Sequence, residues 1–265
     1  MTSSLLRAAA VASVLLAPVL HGQTPAIGLT FDNSGNRLAD SGTSSITFSN
    51  VGSHAVTFGS GINGGTAAIF DGSSSLQASA SPIVDGFTIA FWMNTTTAGN
   101  GGTQWYQGNG LVDGELPGQT NDWGLSLLGS KVALGIGNPD RTIISTSNVT
   151  TGTWTYVTAT WDASAHTSTL YLNGAEEAQS TSTGSLSRFT TDQFFVGKDV
   201  SGNSYTGLLD NVEIYTSAFT SAQVTADYQS AESAVPEPPF YAAFMGACAL
   251  GFAVWRTRGR GARTV

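Results

Sequence analysis

Residues 154–174 read WTYVTATWDASAHTSTLYLNG, and this stretch decides the fold class. Trp154, Tyr156, Thr158 and Thr160 fall on one side of an alternating run, with Val157, Ala159 and Trp161 on the other. A period of two marks a strand, because successive side chains of extended backbone point to opposite faces. Beyond a polar turn, Leu170 and Leu172 alternate with Thr169 and Tyr171, and the run closes on Asn173-Gly174. That dipeptide suits a type I′ turn, whose two central residues both need positive φ. A third strand is expected over Glu176–Gln179, so the stretch predicts an antiparallel meander.

The rest of the chain agrees with a β protein. Only 11% of its 265 residues are charged and 32 are Gly, which suits short strands joined by turns and leaves little material for amphipathic helices. The hydrophobic share of 41%, with six Trp and thirteen Phe spread along the chain, argues against low-complexity disorder. The length allows one large β domain or two small ones. No repeat recurs at a fixed period, which leaves a single sandwich of two antiparallel sheets.

The net charge of −8 conceals an asymmetry, because Arg256, Arg258, Arg260 and Arg263 crowd the last ten residues. Elsewhere in the body Arg37, Lys131, Arg141, Arg188 and Lys198 face seventeen acids. Such a body does not steer toward nucleic acid; cations and neutral glycans fit it better. The single Cys248 excludes an intrachain disulfide.

Both ends read as addresses. Residues 1–22 carry Arg7 and then AAAVASVLLAPVL, an apolar run of the length a secretory signal uses, with an uncleaved anchor as the alternative. At the other end Val235-Pro236-Glu237-Pro238 precedes an apolar segment, Phe240–Trp255, and the arginine-rich tail. As a helix that segment reaches about 24 Å, short for a bilayer unless flanking residues contribute, and the arginines would stay on the cytoplasmic side. The expected organisation is a signal peptide at 1–22, a β domain at 27–230, a linker at 231–239 and a C-terminal signal at 235–260 with a single membrane helix at about 240–255.

Between these ends, short strands are expected at Ile27–Phe31, Ile46–Phe48, Val56–Phe58, Ala67–Phe70, Ser75–Ala78 and Phe87–Met93. A Gly-, Thr- and Asn-rich loop then runs from Asn94 to Asn109 with Trp105 and Tyr106 at its far end; loops of this length are usually functional or mobile. Hairpins follow through Gly124–Leu128, Val132–Ile136 and Thr142–Ser145, then Phe194–Val196 and Leu208–Tyr215. Ser217–Gln229 reads as a short closing helix capped by Ser221. If every hairpin reverses the chain, Asn121-Asp122, Asn138–Asp140 and Asp162 collect on one rim, with Gly129–Lys131 and Asn173-Gly174 at the other end.

In order, the blocks AAIFDGSSSLQ, FTIAFWM, WTYVTATWD, TLYLNG, FFVGKD and GLLDNVEIYTSAFTSAQV resemble the laminin G-like jelly roll of the concanavalin A-like lectin/glucanase superfamily, over about Ile27 to Gln229, with similarity to pentraxins. The resemblance implies an all-β, two-sheet antiparallel jelly-roll sandwich. It also implies one calcium ion, with Asn121 and Asp122 before GLSL, and Asp199 with Asn203 after VGK, at the matching motif positions. Asp140, Asp113 and Glu115 are further oxygen donors of the kind calcium takes. Lys198 departs from the pattern where an acid would be favoured. Asp and Asn also occupy turns simply to bond their own backbone. Asp71, before Gly72, and Asp210, within LLDNVEI, are expected as buried hydrogen-bonding acids. Trp105, Tyr106 and Trp123 are the aromatics that would stack on sugar faces, although loop aromatics equally pin a loop to the core.

The C-terminal order of Pro236-Glu237-Pro238, apolar helix and basic tail resembles the PEP-CTERM sorting signal of Gram-negative bacteria. That resemblance implies an exosortase-like processing enzyme as partner, transient membrane anchoring, and delivery to the cell surface or extracellular matrix. An ordinary anchor would keep the same topology.

Catalysis is not expected. Glycosidases need two carboxylates flanking the scissile bond; Asp113 and Glu115 have i, i+2 spacing, but no E-x-D-x-x-E-like array follows and Gly114 and Pro117 suggest a turn. His21, His54 and His166 are scattered, without triad or zinc spacing. The expectation is an exported, non-catalytic module that binds glycan or another surface polysaccharide. The alternative is a structural matrix or envelope protein without a defined ligand.

Overall fold

In a computed structural model of the chain, the described residues are 23–116, 121–137, 139–182, 184–186 and 192–233. The expected signal peptide, the Pro236-Glu237-Pro238 motif and the Phe240–Trp255 segment lie outside them. Among the described residues no helix is long and apolar enough to cross a membrane.

The strands are β1 Ile27–Leu29, β2 Phe48–Gly52, β3 Thr57–Ser60, β4 Thr66–Asp71, β5 Ser74–Ala78, β6 Phe87–Asn94, β7 Asn109–Asp113 and β8 Trp123–Leu128. They continue as β9 Lys131–Ile136, β10 Arg141–Ile144, β11 Thr155–Asp162, β12 Thr167–Leu172, β13 Ala175–Thr181, β14 Phe194–Val196 and β15 Thr206–Tyr215, followed by helix α1 Ser221–Ser233. One sheet has the order β13-β12-β11-β6-β15-β4-β3, with β1 also paired to β15; the second has the order β10-β9-β8-β7-β14-β5-β2. All the pairings between these strands are antiparallel, so the two-sheet sandwich expected from the sequence is what forms.

The opening stretch forms β11 and β12 in the first sheet, with Ala159 opposite Leu170 and Val157 opposite Leu172. Val157, Ala159, Trp161, Leu170 and Leu172 enter the core between the sheets, as the alternation required. Tyr156, Thr158, Thr160, Thr169 and Tyr171 are left on the outer face. The hairpin tip has φ of 50° at Asn173 and 75° at Gly174, and Asn173 Oδ1 accepts the Tyr156 N–H at 2.9 Å. The third strand, β13, runs longer than expected, from Ala175 to Thr181.

Three features differ from the sequence reading. β7 is an interior strand where a turn was expected around Asp113. The 94–109 loop is packed down: Gly99 donates to Gly129 O at 2.8 Å, and Trp105–Gln107 forms a 3-10 turn against β8 and β9. Helix α1 is capped by Thr220 rather than Ser221. Thr220 Oγ1 accepts from Gln223 N while Gln223 Oε1 accepts from Thr220 N, a reciprocal capping box. The helix also continues to Ser233, into the span expected as linker. It lies on the outer face of the first sheet, where Tyr228 packs 6.1 Å from Trp92 and 5.9 Å from Tyr156.

Gly174 joins the meander to that helix, because a Cβ there would lie 2.9 Å from Tyr228 Cδ1 and φ is +75°. Gly174→Ala is therefore expected to lower the unfolding free energy by about 1–2 kcal/mol, read as a lower urea midpoint at unchanged m-value.

Candidate functional site

The second sheet gathers a group of acids at its outer face. A register shift between Gly110 and Val112 in β7 lets Leu111 and Val112 both turn into the core. Asp113, opposite Gly124 of β8, is thereby left facing outward. Re-aiming one side chain in this way is what a β-bulge does. Gly124 in turn pairs with Gly135 of β9, and the Trp105 indole lies over this pair of glycines. A Cβ at Gly135 would come within 2.0 Å of Trp105 Cδ1, and one at Gly124 within 2.2 Å of Trp105 Cζ3 and 2.6 Å of Asp113 Oδ2. Only glycine at both places admits the ring. Trp105 N donates to Thr142 Oγ1 at 3.1 Å and Trp105 O accepts from Ser126 Oγ, which holds the turn in place.

Three more acids, Asp122, Asp140 and Asp199, bear on Asp113 and its neighbour Glu115. Burial first, then Glu115, Asp199 and Asp122, push the Asp113 carboxyl well above the usual range, against a backbone hydrogen bond from Glu115 N that lowers it. Glu115 is raised to about 7 by burial and by Asp199, Asp122 and Asp140. Asp140 is raised by burial and pulled down by the nearby Trp105 indole N–H, which does not complete a hydrogen bond. Asp113 Oδ2 and Glu115 Oε2 are buried with no hydrogen-bond partner. Asp122 is held just before β8 by two bonds: its Oδ2 accepts from Leu116 N at 3.0 Å, and its carbonyl accepts from Gly137 N at 2.8 Å.

The structure brings Asp122, Asp140 and Asp199 to bear on one place, together with Asp113 and Glu115. Asn121 adjoins Asp122 in the same turn and has a bonding partner of its own. Asp199 and Asn203 satisfy each other, Asn203 N donating to Asp199 Oδ1 at 2.7 Å and Asn203 Nδ2 to Asp199 Oδ2, while Asn203 Oδ1 accepts from Asn100. They stand as a closed loop clasp. The oxygens left over belong to Asp113 and Glu115, which the sequence singled out only as supplementary donors. Among the described residues no three His, Cys, Asp or Glu side chains converge closely enough to hold a metal ion as they stand.

Other expectations are corrected. Trp105 and Trp123 are 1% and 0% exposed, so neither ring offers a face to a sugar. Trp105 fills the glycine pair, and Trp123 packs in the core 5.6 Å from Phe87 and 5.9 Å from Phe194. Tyr106, 39% exposed, keeps an accessible ring and stands edge-on to Trp105 at 5.9 Å. Asp162 binds the backbone of its own turn at Ser164 and Ala165 in the other sheet, and does not act on the acid group. Asp71 is an exposed turn acid, held below the usual carboxylate range chiefly by His54. Asp210 is buried as expected, accepting from Ile62 N at 2.9 Å and Asn211 N at 2.8 Å. Lys198 lies 4.4 Å from the Phe195 ring centroid, a cation–π contact.

A laminin G family model described as the concanavalin A-like lectin/glucanases superfamily matches residues 70–225. The chain belongs to this superfamily. No curated protein matches this lectin-like chain. Among solved structures it is similar to domain 4 of a GH43 extracellular arabinanase from Geobacillus stearothermophilus, in complex with arabinotriose. That match has 21% identity and a TM-score of 0.63, covering 77% of this chain and 98% of that one. It is also similar to the binding domain of Paraclostridial mosquitocidal protein 1, at 16% identity and TM-score 0.61, covering 78% of this chain and 52% of that one. A third is from botulinum neurotoxin type C, which depends upon interaction with two ganglioside molecules to enter cells; identity is 12% and TM-score 0.58, covering 78% and 51%. The chain thus spans about half the length of the two toxin chains. At these identities the likeness shows the fold.

Two outcomes are expected. Gly135→Ala displaces the Trp105 indole and costs about 1–3 kcal/mol of stability, seen as a lower melting temperature with altered tryptophan emission. A raised folded pKa means that Glu115 contributes stability below its ordinary value, 4.5, which is lost as pH rises toward about 7. The calcium-free domain should therefore melt lower at pH 8 than at pH 5, and Glu115→Gln should reduce that slope.

Proposed function

We propose that this domain is a non-catalytic glycan-binding module whose ligand meets the outer face of the second sheet at Tyr106 and the acids around Asp113. The observation that carries this reading is the pair of unpartnered buried oxygens, Asp113 Oδ2 and Glu115 Oε2, at the sheet onto which the turn carrying the exposed Tyr106 ring is packed. Buried carboxylate oxygens are costly without a partner, and a cation is the partner that relieves several acids at once. The donor types are those calcium takes, oxygens from carboxylates and carbonyls in flexible geometry, although no three of these acids converge on one point as they stand. To hold one ion, Asp113, Glu115, Asp122 and Asp140 would have to draw together, with Asp199 already engaged by Asn203. When bound, calcium supplies a positive centre with open positions that neutral sugar hydroxyls can occupy. Tyr106 offers an accessible ring on the neighbouring turn, and the acids accept hydrogen bonds from further hydroxyls. The arabinotriose and ganglioside relatives support a carbohydrate ligand on this fold.

Export belongs to the same proposal. The apolar run in residues 1–22 and the order Pro236-Glu237-Pro238, apolar segment, arginine tail support secretion, recognition by an exosortase-like enzyme and passage through a membrane-anchored stage to the bacterial surface or matrix.

Calcium is expected to raise the melting temperature of the full chain, by about 2.7 kcal/mol of stabilisation at a hundredfold excess over its dissociation constant, and Asp113→Asn should abolish the rise. On a glycan array, Tyr106→Ala should lose binding while melting normally. An array blank for wild type, with the protein retained in extracellular matrix, would favour a structural envelope component instead.

A further inference from the structure

Helix α1 leaves one side of its contact with the first sheet open. A cavity of about 310 Å³ remains there, lined from the sheet by Tyr156, Asn211, Glu213 and Tyr215 and from the helix by Asp227 and Ser230. Two carboxylates from different elements therefore border the same space. Each has a phenol as donor: Tyr156 OH donates to Asp227 Oδ2 at 2.6 Å, and Tyr215 OH donates to Glu213 Oε2 at 2.8 Å. The other titratable groups on the packed elements add no positive charge. Tyr228 OH donates to Glu232 Oε1 on the exposed side of the helix, and Asp210 faces the Ile62 and Asn211 backbone. Among the described residues the ion pair is His54–Asp71, in another part of the fold.

The helix is also set apart from the main core. Its Val224 joins a small cluster with Tyr171, Tyr215 and Phe219, and its Tyr228 packs on a second one with Trp92 and Tyr156. Neither cluster belongs to the body of apolar side chains between the sheets. An element attached through satellite clusters can open without unfolding the sandwich.

We propose that Glu213 and Asp227 form a pH-operated clasp on the C-terminal helix, which stays docked while at least one of them is protonated and loosens when both are ionised across the cavity. Burial raises both carboxyls, and Asp227 raises Glu213 further, to about 7. Because the folded values are raised, the contribution to docking is complete below the ordinary carboxylate range and is lost as pH rises toward 7. The helix is the last described element of the chain, so the clasp governs how firmly this element is held to the sandwich.

Hydrogen exchange of the full chain, followed by mass spectrometry on peptides covering residues 221–233, tests this. After correction for intrinsic rates, the opening constant of the helix should rise by up to about tenfold per pH unit between pH 5 and 7, while sheet peptides stay protected. Glu213→Gln and Asp227→Asn each keep an acceptor for their tyrosine and remove the charge pair, and in both the rise of helix opening with pH should be smaller than in wild type, with only the remaining buried carboxyl left to ionise. A wild-type helix whose corrected exchange does not change with pH would overturn the clasp. So would a rise that persists undiminished in both variants, or helix and sheet amides that open together.

Discussion

The Trp123 indole is the contact on which the site and the sandwich both depend. It lies in the core between Phe87 of one sheet and Phe194 of the other, and so bridges the two layers at the end where β8 begins. Anchoring that ring fixes the start of β8, and with it the turn holding Asp122. Gly114 approaches the same ring so closely that a Cβ there would lie 2.5 Å from Trp123 Cε2. The chain leaving β7 is thus pressed against the ring that starts β8, and Asp113 and Glu115 are placed beside Asp122. Aromatic burial of this kind contributes a few kcal/mol.

The acid group shows how a fold holds an unfavourable arrangement. Asp113 is fully buried with one oxygen unpartnered, and three other acids raise it further. The isolated carboxylate would not sit there by choice; a bulge in β7 and a tryptophan seated on two glycines put it there. Strain and unsatisfied polar atoms persist only where surrounding packing over-determines them, and they concentrate at functional sites. The second acid pair, Glu213 and Asp227, differs in kind. Each carboxylate there has a phenol donor, and the two sit at the seam between a sheet and a helix rather than within one sheet face.

Much of the fold was legible in short-range pattern. The alternation through 154–174 fixed which side chains face the core, because a strand has no other periodicity to offer, and Asn173-Gly174 predicted the turn from its backbone needs alone. The site was legible as a neighbourhood but not as a set of atoms. Asp122, Asp140 and Asp199 all act on Glu115, yet which oxygens are engaged depends on hydrogen bonds such as Asn203 to Asp199 that no local pattern specifies. Trp105 and Trp123 read as ligand platforms because they flank polar loops. What buried them was a glycine pair on two strands and a facing sheet.

The sequence by itself determined the class of the protein: an acidic, all-β body built of hairpins, with family blocks in order and candidate addresses at both ends. These are properties of neighbouring residues, since strand period, turn chemistry and composition act within a few positions along the chain. Only the tertiary structure decided that β7 is an interior strand, that its bulge turns Asp113 outward, and that Trp105 lies over Gly124 and Gly135. It alone also brought Asp227 across a cavity from Glu213. Those outcomes join residues far apart in the chain, and what settles them is which surfaces remain to be covered once the sheets have packed.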